Sequence, residues 1–182
     1  MLTEEKNQLL TRVGPGTPMG SLLRRYWMPI AGVSEFESCH TKAIRLMGED
    51  LVLYKDLSGN FGLIDRHCPH RRADMSFGMA EANGLRCSYH GWAFDASGQC
   101  VEQPFQDTVF PERNFKCSVK TLAYPVEVKA GLVWAYMGPL PRATQAAGAA
   151  ALARLGSSGG SSSLARLAGG AAGGAPGAGR SP

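Results

Sequence analysis

No stretch of roughly 18 apolar residues occurs in this 182-residue chain, so nothing in it reads as a membrane-spanning helix. The opening Met1-Leu2-Thr3-Glu4-Glu5-Lys6 lacks the basic start and apolar core of a secretion signal, and the expectation is a cytoplasmic protein with no membrane partner. A basic surface is missing where it would matter. The formal net charge is +4, but residues 141–182 hold Arg142, Arg154, Arg166 and Arg180 and no acid at all. The remaining fifteen basic residues meet fifteen acids, so residues 1–140 are formally neutral, which argues against a nucleic-acid face. An even cysteine count is also missing. Five cysteines, at positions 39, 68, 87, 100 and 117, do not make a complete disulfide framework. In a reducing compartment, clustered Cys and His point to metal instead.

Aromatic residues are missing from residues 141–182, which contain 13 Ala and 10 Gly. Leu-Ala-Arg-Leu occurs at 152–155 and again at 164–167, too sparsely to build a core. Such a composition cannot offset the entropy of ordering, so the expectation is a disordered Ala/Gly/Ser/Arg-rich tail over 141–182. The folded unit is then about 140 residues.

Within that unit, residues 1–40 read as a helical lead-in. Thr3 is a suitable N-cap before Glu4 and Glu5, giving a helix to Val13 that Gly14-Pro15-Gly16-Thr17-Pro18 breaks. A second short helix is expected from Ser21 to Tyr26, ending before Pro29, with Arg24 and Arg25 solvated on its surface. From residue 41 to 140 the texture is short strands and turns. Ala43–Met47 and Leu51–Tyr54 flank Gly48-Glu49-Asp50 as a hairpin, and Phe61–Asp65 follows a Ser58-Gly59-Asn60 turn. Leu85–Cys87 and Trp92–Asp95 read as strands, and Tyr124–Val128 and Leu132–Met137 as a last hairpin around Lys129-Ala130-Gly131. The fold class is therefore all-β, an antiparallel sandwich or small barrel with short N-terminal helices. Trp92, Phe94, Trp134 and Tyr136 alternate along strands and are expected to pack the core.

The chemistry concentrates in two short runs, Arg66-His67-Cys68-Pro69-His70-Arg71-Arg72 and Arg86-Cys87-Ser88-Tyr89-His90-Gly91-Trp92. Reduced to donors this is C-x-H, sixteen residues, then C-x2-H. Each pair lies at a turn between expected strands, so two loops can converge on one site. Two thiolates and two imidazoles suit either zinc or an iron–sulfur centre. A zinc-stabilised binding module is thus one reading of the donor set. Against it, zinc fingers commonly group the cysteines on a hairpin and the histidines on a helix. Here the types alternate and no helix follows Cys87. A cluster with two cysteines on one iron and two histidines on the other fits one thiolate and one imidazole per loop. His67, beside the first loop, reads as surface or supporting packing, His40 as ordinary loop, and Cys39, Cys100 and Cys117 as packed free thiols.

Cys68-Pro69-His70-Arg71 and the run from Cys87 to Asp95 resemble the two cluster loops of Rieske non-haem iron oxygenases. The opening from Leu9 to Trp27 resembles the large subunit of phthalate-dioxygenase-like members, and Gly131 to Pro139 the end of their Rieske domain. The resemblance covers residues 1–140, with Ser88 standing where the family often has proline. It implies a Rieske [2Fe-2S] cluster held by Cys68, His70, Cys87 and His90, and one-electron transfer as the work. It also implies an electron donor, a flavin or ferredoxin reductase, and an acceptor, the oxygenase catalytic domain. High-potential Rieske proteins of respiratory complexes resemble this pattern but add a disulfide-forming cysteine in each loop, where this chain has Ala73 and Ser88. They also place a serine soon after the second histidine, where this chain has Gly91-Trp92. Fewer hydrogen bonds to the cluster sulfurs imply a low potential.

Family oxygenases continue into a domain whose mononuclear iron is held by two histidines and a carboxylate. Only four histidines occur here, and beyond the two cluster candidates His40 and His67 remain. The expectation is an oxidoreductase by family whose catalytic iron site is absent from these residues. Out-of-frame translation of a GC-rich gene yields an Ala-Gly-Arg-Pro mixture like that of the tail, so one expectation is a shifted reading frame. The alternative is a stand-alone Rieske ferredoxin serving a separate oxygenase.

Overall fold

Thr3 starts the first helix as expected, its hydroxyl accepting from the Lys6 backbone N–H, and α1 runs Glu4–Thr11. This computed structural model describes residues 1–139, so the expected tail lies outside the described residues. The second helix, α2, spans Pro18–Leu23, three residues earlier than the sequence suggested at each end. Thr17 caps it through the Gly20 N–H at 3.1 Å, and Pro18 takes the first turn, where no N–H is needed. Arg24, just past its end, is not a solvated residue. It pairs with Glu49 at 2.6 Å and donates to the Met47 carbonyl at 3.0 Å, while Arg25 is exposed.

The stretch read as a helical lead-in also supplies a strand, β1 (Met28–Gly32). There follow β2 (Thr41–Leu46), β3 (Glu49–Lys55), β4 (Phe61–Asp65), β5 (Met79–Glu81), β6 (Gly84–Arg86), β7 (Ala93–Phe94) and β8 (Cys100–Glu102). A short helix, α3 (Pro104–Val109), precedes β9 (Ala123–Tyr124), β10 (Val126–Lys129) and β11 (Leu132–Ala135). The strands form three antiparallel sheets, ordered β1-β11-β10, β2-β3-β4-β9 and β5-β6-β7-β8. Two hairpins close through two-residue turns with both residues at positive φ, Met47-Gly48 and Ala130-Gly131, a backbone twist that matches the strands they join.

The middle sheet is buried on both faces, and its period-two alternation shows how. Leu51 and Leu53 of β3 and Leu63 of β4 point into one core, shared with Val133, Ala135 and Met137. Val52, Tyr54 and Ile64, their strand neighbours, point into a second core with Met75, Leu85 and Phe94. Each fully buried Leu, Ile or Val contributes about 1.5–3 kcal/mol, so β3 and β4 anchor both layers. The second core also contains Cys68 and Cys87, each 2% exposed, and this places the candidate thiols inside the fold.

Candidate metal centre

β4 leads into the first candidate loop, and β6 and β7 flank the second. The two loops share one closure. In the first, the Cys68 N–H donates to the Ala73 carbonyl at 2.9 Å and the Arg72 N–H to the Cys68 carbonyl at 2.8 Å. In the second, the Cys87 N–H donates to the Trp92 carbonyl at 2.8 Å and the Gly91 N–H to the Cys87 carbonyl at 3.1 Å. The fourth residue after each cysteine is left-handed, Arg72 at φ +59 and Gly91 at φ +74. Each fingertip therefore begins on a buried sulfur and turns its histidine outward, at the second residue in one loop and the third in the other.

Neighbouring charges brace both loops. Arg66 donates from Nε and Nη2 to the same Asp74 oxygen at 2.8 and 2.6 Å, spanning the first loop at its base. Hydrogen bonds from Arg66, opposed by some burial and helped by Ser76, pull the Asp74 carboxyl down to about 2. Arg86, immediately before Cys87, ion-pairs with Glu81 and with Glu102 (2.5 Å) and donates to the Gly91 carbonyl at 2.8 Å. Both carboxylates raise the Arg86 pKa, so its charge is permanent. Gly91 suits its left-handed backbone, and a Cβ there would press on the Pro104 Cγ at 3.1 Å.

The structure brings the candidate donors together in two pairs, sulfur with sulfur and ring with ring. Cys68 and Cys87 lie at the inner end, close enough for each sulfur to affect the other. Burial pushes the Cys68 thiol up to about 11; the His70 N–H opposes the shift and Cys87 adds to it. At the outer end the His70 and His90 rings lie 4.6 Å apart. Desolvation, with the adjacent His90 and Arg71, holds His70 below the usual histidine range, in the neutral form that ligates metal. The His70 ring also stacks on the Trp92 indole, and the Tyr89 ring lies 3.8 Å from that of His90.

This donor set fits a binuclear iron–sulfur group. Its sulfurs and imidazoles form separate pairs, soft thiolates inside and imidazoles outside. A protonated buried thiol such as Cys68 is relieved when ligation replaces its proton with iron. A single tetrahedral zinc needs its donors around one point. Among the described residues, no three Cys, His, Asp or Glu side chains converge in that way.

The other residues named from sequence stand apart. The His67 N–H donates to Asp65 at 2.6 Å, and the His67 Nδ1 lies 3.7 Å from the same carboxylate, an arrangement that supports the base of the loop. His40 offers its carbonyl to the Lys55 N–H. Of the three extra thiols only Cys100 is packed, whereas Cys39 and Cys117 are exposed. Phe94 is core, but Trp134 and Tyr136 lie on the opposite face of β11 from Val133 and Ala135. Tyr136 there meets the exposed Trp27, ring centroids 5.5 Å apart. Alternation in β11 shows which residues share a face but not which face is covered. Sequence reasoning missed Arg66, Asp74 and Arg86. The available signal was an arginine one or two residues before each cysteine, with acids at Asp74, Glu81 and Glu102.

A family model described as Rieske [2Fe-2S] domain matches residues 26–123. The 5,5'-dehydrodivanillate O-demethylase oxygenase subunit of Sphingobium sp. (strain NBRC 103272 / SYK-6) is 70% identical over 141 residues, covering 78% of this chain and 33% of the relative. The phthalate 4,5-dioxygenase oxygenase subunit of Pseudomonas putida is 45% identical over 143 residues, covering 76% of this chain and 31% of the relative. Among solved structures, Pseudomonas putida CBB5 NdmA with caffeine aligns with a TM-score of 0.56 and 32% identity, over 63% of this chain and 33% of that one. The chain spans about a third of the length of the curated relatives it matches.

Proposed function

We propose, from the premise that the chain belongs to the Rieske [2Fe-2S] domain family, that Cys68, His70, Cys87 and His90 hold the cluster and that the protein passes single electrons as the Rieske part of an aromatic-ring oxygenase. The observation that carries this reading is the pairing of two buried sulfurs beneath two outward imidazoles on two loops of like closure. When bound, the cluster supplies a one-electron couple. Cys68 and Cys87 hold one iron as thiolates in a core that excludes water. His70 and His90 hold the other and bring the edge of the centre to the surface, where a partner can approach. Arg66–Asp74 braces the first loop, and Arg86, through Glu81, Glu102 and the Gly91 carbonyl, braces the second.

A demethylase or dioxygenase activity on an aromatic acid is supported by the names of the relatives, which are oxygenase subunits. The electron donor on this reading is a flavin or ferredoxin reductase, and the acceptor is a mononuclear iron in an oxygenase catalytic domain. Five unbridged cysteines suit a reducing compartment, hence a cytoplasmic placement. The domain division on this reading is a lead-in over 1–40 and a Rieske domain over 41–140.

Iron and acid-labile sulfide analysis with EPR tests the proposal. The expected protein is red-brown, holds about two irons and two sulfides, and on reduction gives the spectrum of a mixed Cys/His cluster. A colourless protein with stoichiometric zinc would overturn it.

A further inference from the structure

Each of the three sheets has two edge strands, and most of these edges are short, interrupted or already engaged. β1 is interrupted by Pro29 and by a register shift between Pro29 and Ala31. In β2 the Thr41 hydroxyl donates to the Ser76 carbonyl, and Lys42 and Arg45 are paired with Glu35 and Asp50. β5 is three residues long and β9 two, and the Cys100 N–H of β8 already donates to the Val119 carbonyl. β10 (Val126–Lys129) differs from all of these. It is the edge of the β1-β11-β10 sheet, and Glu127, Val128 and Lys129 are all exposed, Val128 by 54%.

The hairpin fixes which way the β10 backbone faces. In an antiparallel pair, hydrogen-bonded and non-bonded residue pairs alternate. The Tyr136 N–H donates to the Pro125 carbonyl at 3.0 Å, so the bonded pairs that follow are Glu127 with Trp134 and Lys129 with Leu132. Val128, opposite Val133 in a non-bonded pair, therefore turns its own N–H and C=O away from β11, toward the open edge. Among the described residues no backbone group outside the hairpin meets them. The two neighbours of Val128 carry opposite charge, and among the described residues neither Glu127 nor Lys129 is in an ion pair. With Trp27 and Trp134 they line an open groove beside this edge.

We propose that the β10 edge pairs with the β10 edge of a second copy of this chain, antiparallel, across a two-fold axis at Val128. The two copies of Val128 then exchange both backbone hydrogen bonds across the axis. That register sets Glu127 of each copy opposite Lys129 of the other, so the symmetry makes the same favourable cross-strand pair twice. Moving the axis to Glu127 or to Lys129 instead sets like charges face to face, and this selects the Val128 register. Two three-stranded sheets become one of six strands, by strand addition at an exposed edge. The candidate loops stay free, since their cysteines belong to the second core, on the other face of β3 and β4 from the sheet that pairs. Four residues of edge strand make a small interface, so the dimer is weak and concentration-dependent. The pairing does not depend on the proposed cluster ligation.

Sedimentation velocity and equilibrium of the full chain at low salt, from roughly 10 μM to 1 mM, test this. A monomer–dimer equilibrium is expected, and it should weaken as salt rises. Glu127→Lys alone and Lys129→Glu alone each set like charges opposite one another at both symmetric positions. Each is expected to raise the dissociation constant roughly ten-fold. Glu127→Lys/Lys129→Glu exchanges the signs and is expected to restore the original constant. Val128→Pro removes the outward N–H at a place where an edge strand tolerates proline, and is expected to give a folded monomer. If that variant does not fold, the three charge variants decide alone. A chain that stays monomeric over the whole range, a dimer indifferent to the single reversals, or one that the double exchange fails to restore overturns the proposal. So does a trimer, which has no two-fold axis.

Discussion

The His70 imidazole and the Trp92 indole stack face to face, with 4.5 Å between centroids and 5° between planes. They come from different loops, so the stack ties the proposed outer ligand of one fingertip to the base of the other. Trp92 also packs against the cluster-side core, and its carbonyl accepts the Cys87 N–H. One side chain thus sets the plane of an imidazole that is itself exposed to water.

Trp92→Ala is therefore expected to loosen the centre, whereas Trp92→Phe should keep most of the stack, which contributes about 0.5–1.5 kcal/mol. The measurements are the rate of iron loss to a chelator and the EPR line shape of the reduced protein. Iron release from the Ala variant at the unsubstituted rate would show that the stack orients nothing.

The ligand assignment separates three histidines. His70→Ala and His90→Ala are each expected to abolish the native visible spectrum, while His67→Ala should retain it. His67 is directed at Asp65 and not at the paired rings. A cluster lost in His67→Ala as fully as in His90→Ala would put a wrong residue in the set.

Arg86 holds the second loop through three acceptors, two carboxylates and the Gly91 carbonyl. Arg86→Met keeps the apolar stem but leaves Glu81 and Glu102 facing each other without a cation. The expected loss is about 2 kcal/mol, after discounting the carboxylates for their exposure. Urea unfolding measures it, and a Glu102→Gln variant should lose less. An unchanged midpoint in Arg86→Met would mean that the loop holds its shape without this brace.

The Arg66–Asp74 pair predicts a pH signature. Asp74 is held down at about 2 by Arg66, so its contribution is complete above the ordinary carboxylate range and is lost as pH falls through about 2. Asp74→Asn should melt earlier than the unsubstituted protein at neutral pH. The difference should narrow below about pH 4 and close near the bottom of that window. Thermal melts across acid pH test this, and a gap that persists unchanged would remove the ion pair as its cause.

Much of the centre could be read directly from local sequence. C-x-H and C-x2-H are local patterns, and a local pattern carries its own turn, as the like closure of the two loops shows. The strand Phe61–Asp65 appears with the expected bounds because Gly59 and Asn60 mark its start and the ligand loop its end. Other features depended on contacts between distant residues. β1 was hidden because Pro29 and Gly32 weaken a strand signal, and its pairing with β11 lies about a hundred residues away. The reading of Arg24 as solvated failed for the same reason, since Glu49 is its neighbour only after folding.

The grouping of the four proposed donors in two loops and the all-β texture were determined by the sequence alone, because each depends on residues within a few positions of one another. Tertiary structure decided which face of β11 is core, that Trp92 stacks on His70, and that Arg86 gathers Glu81 and Glu102 around the second loop. Among the described residues it also left Arg71 and Arg72 without a carboxylate partner. A charge becomes free or paired only when the sheets bring distant side chains together, and no pattern along the chain encodes that distance.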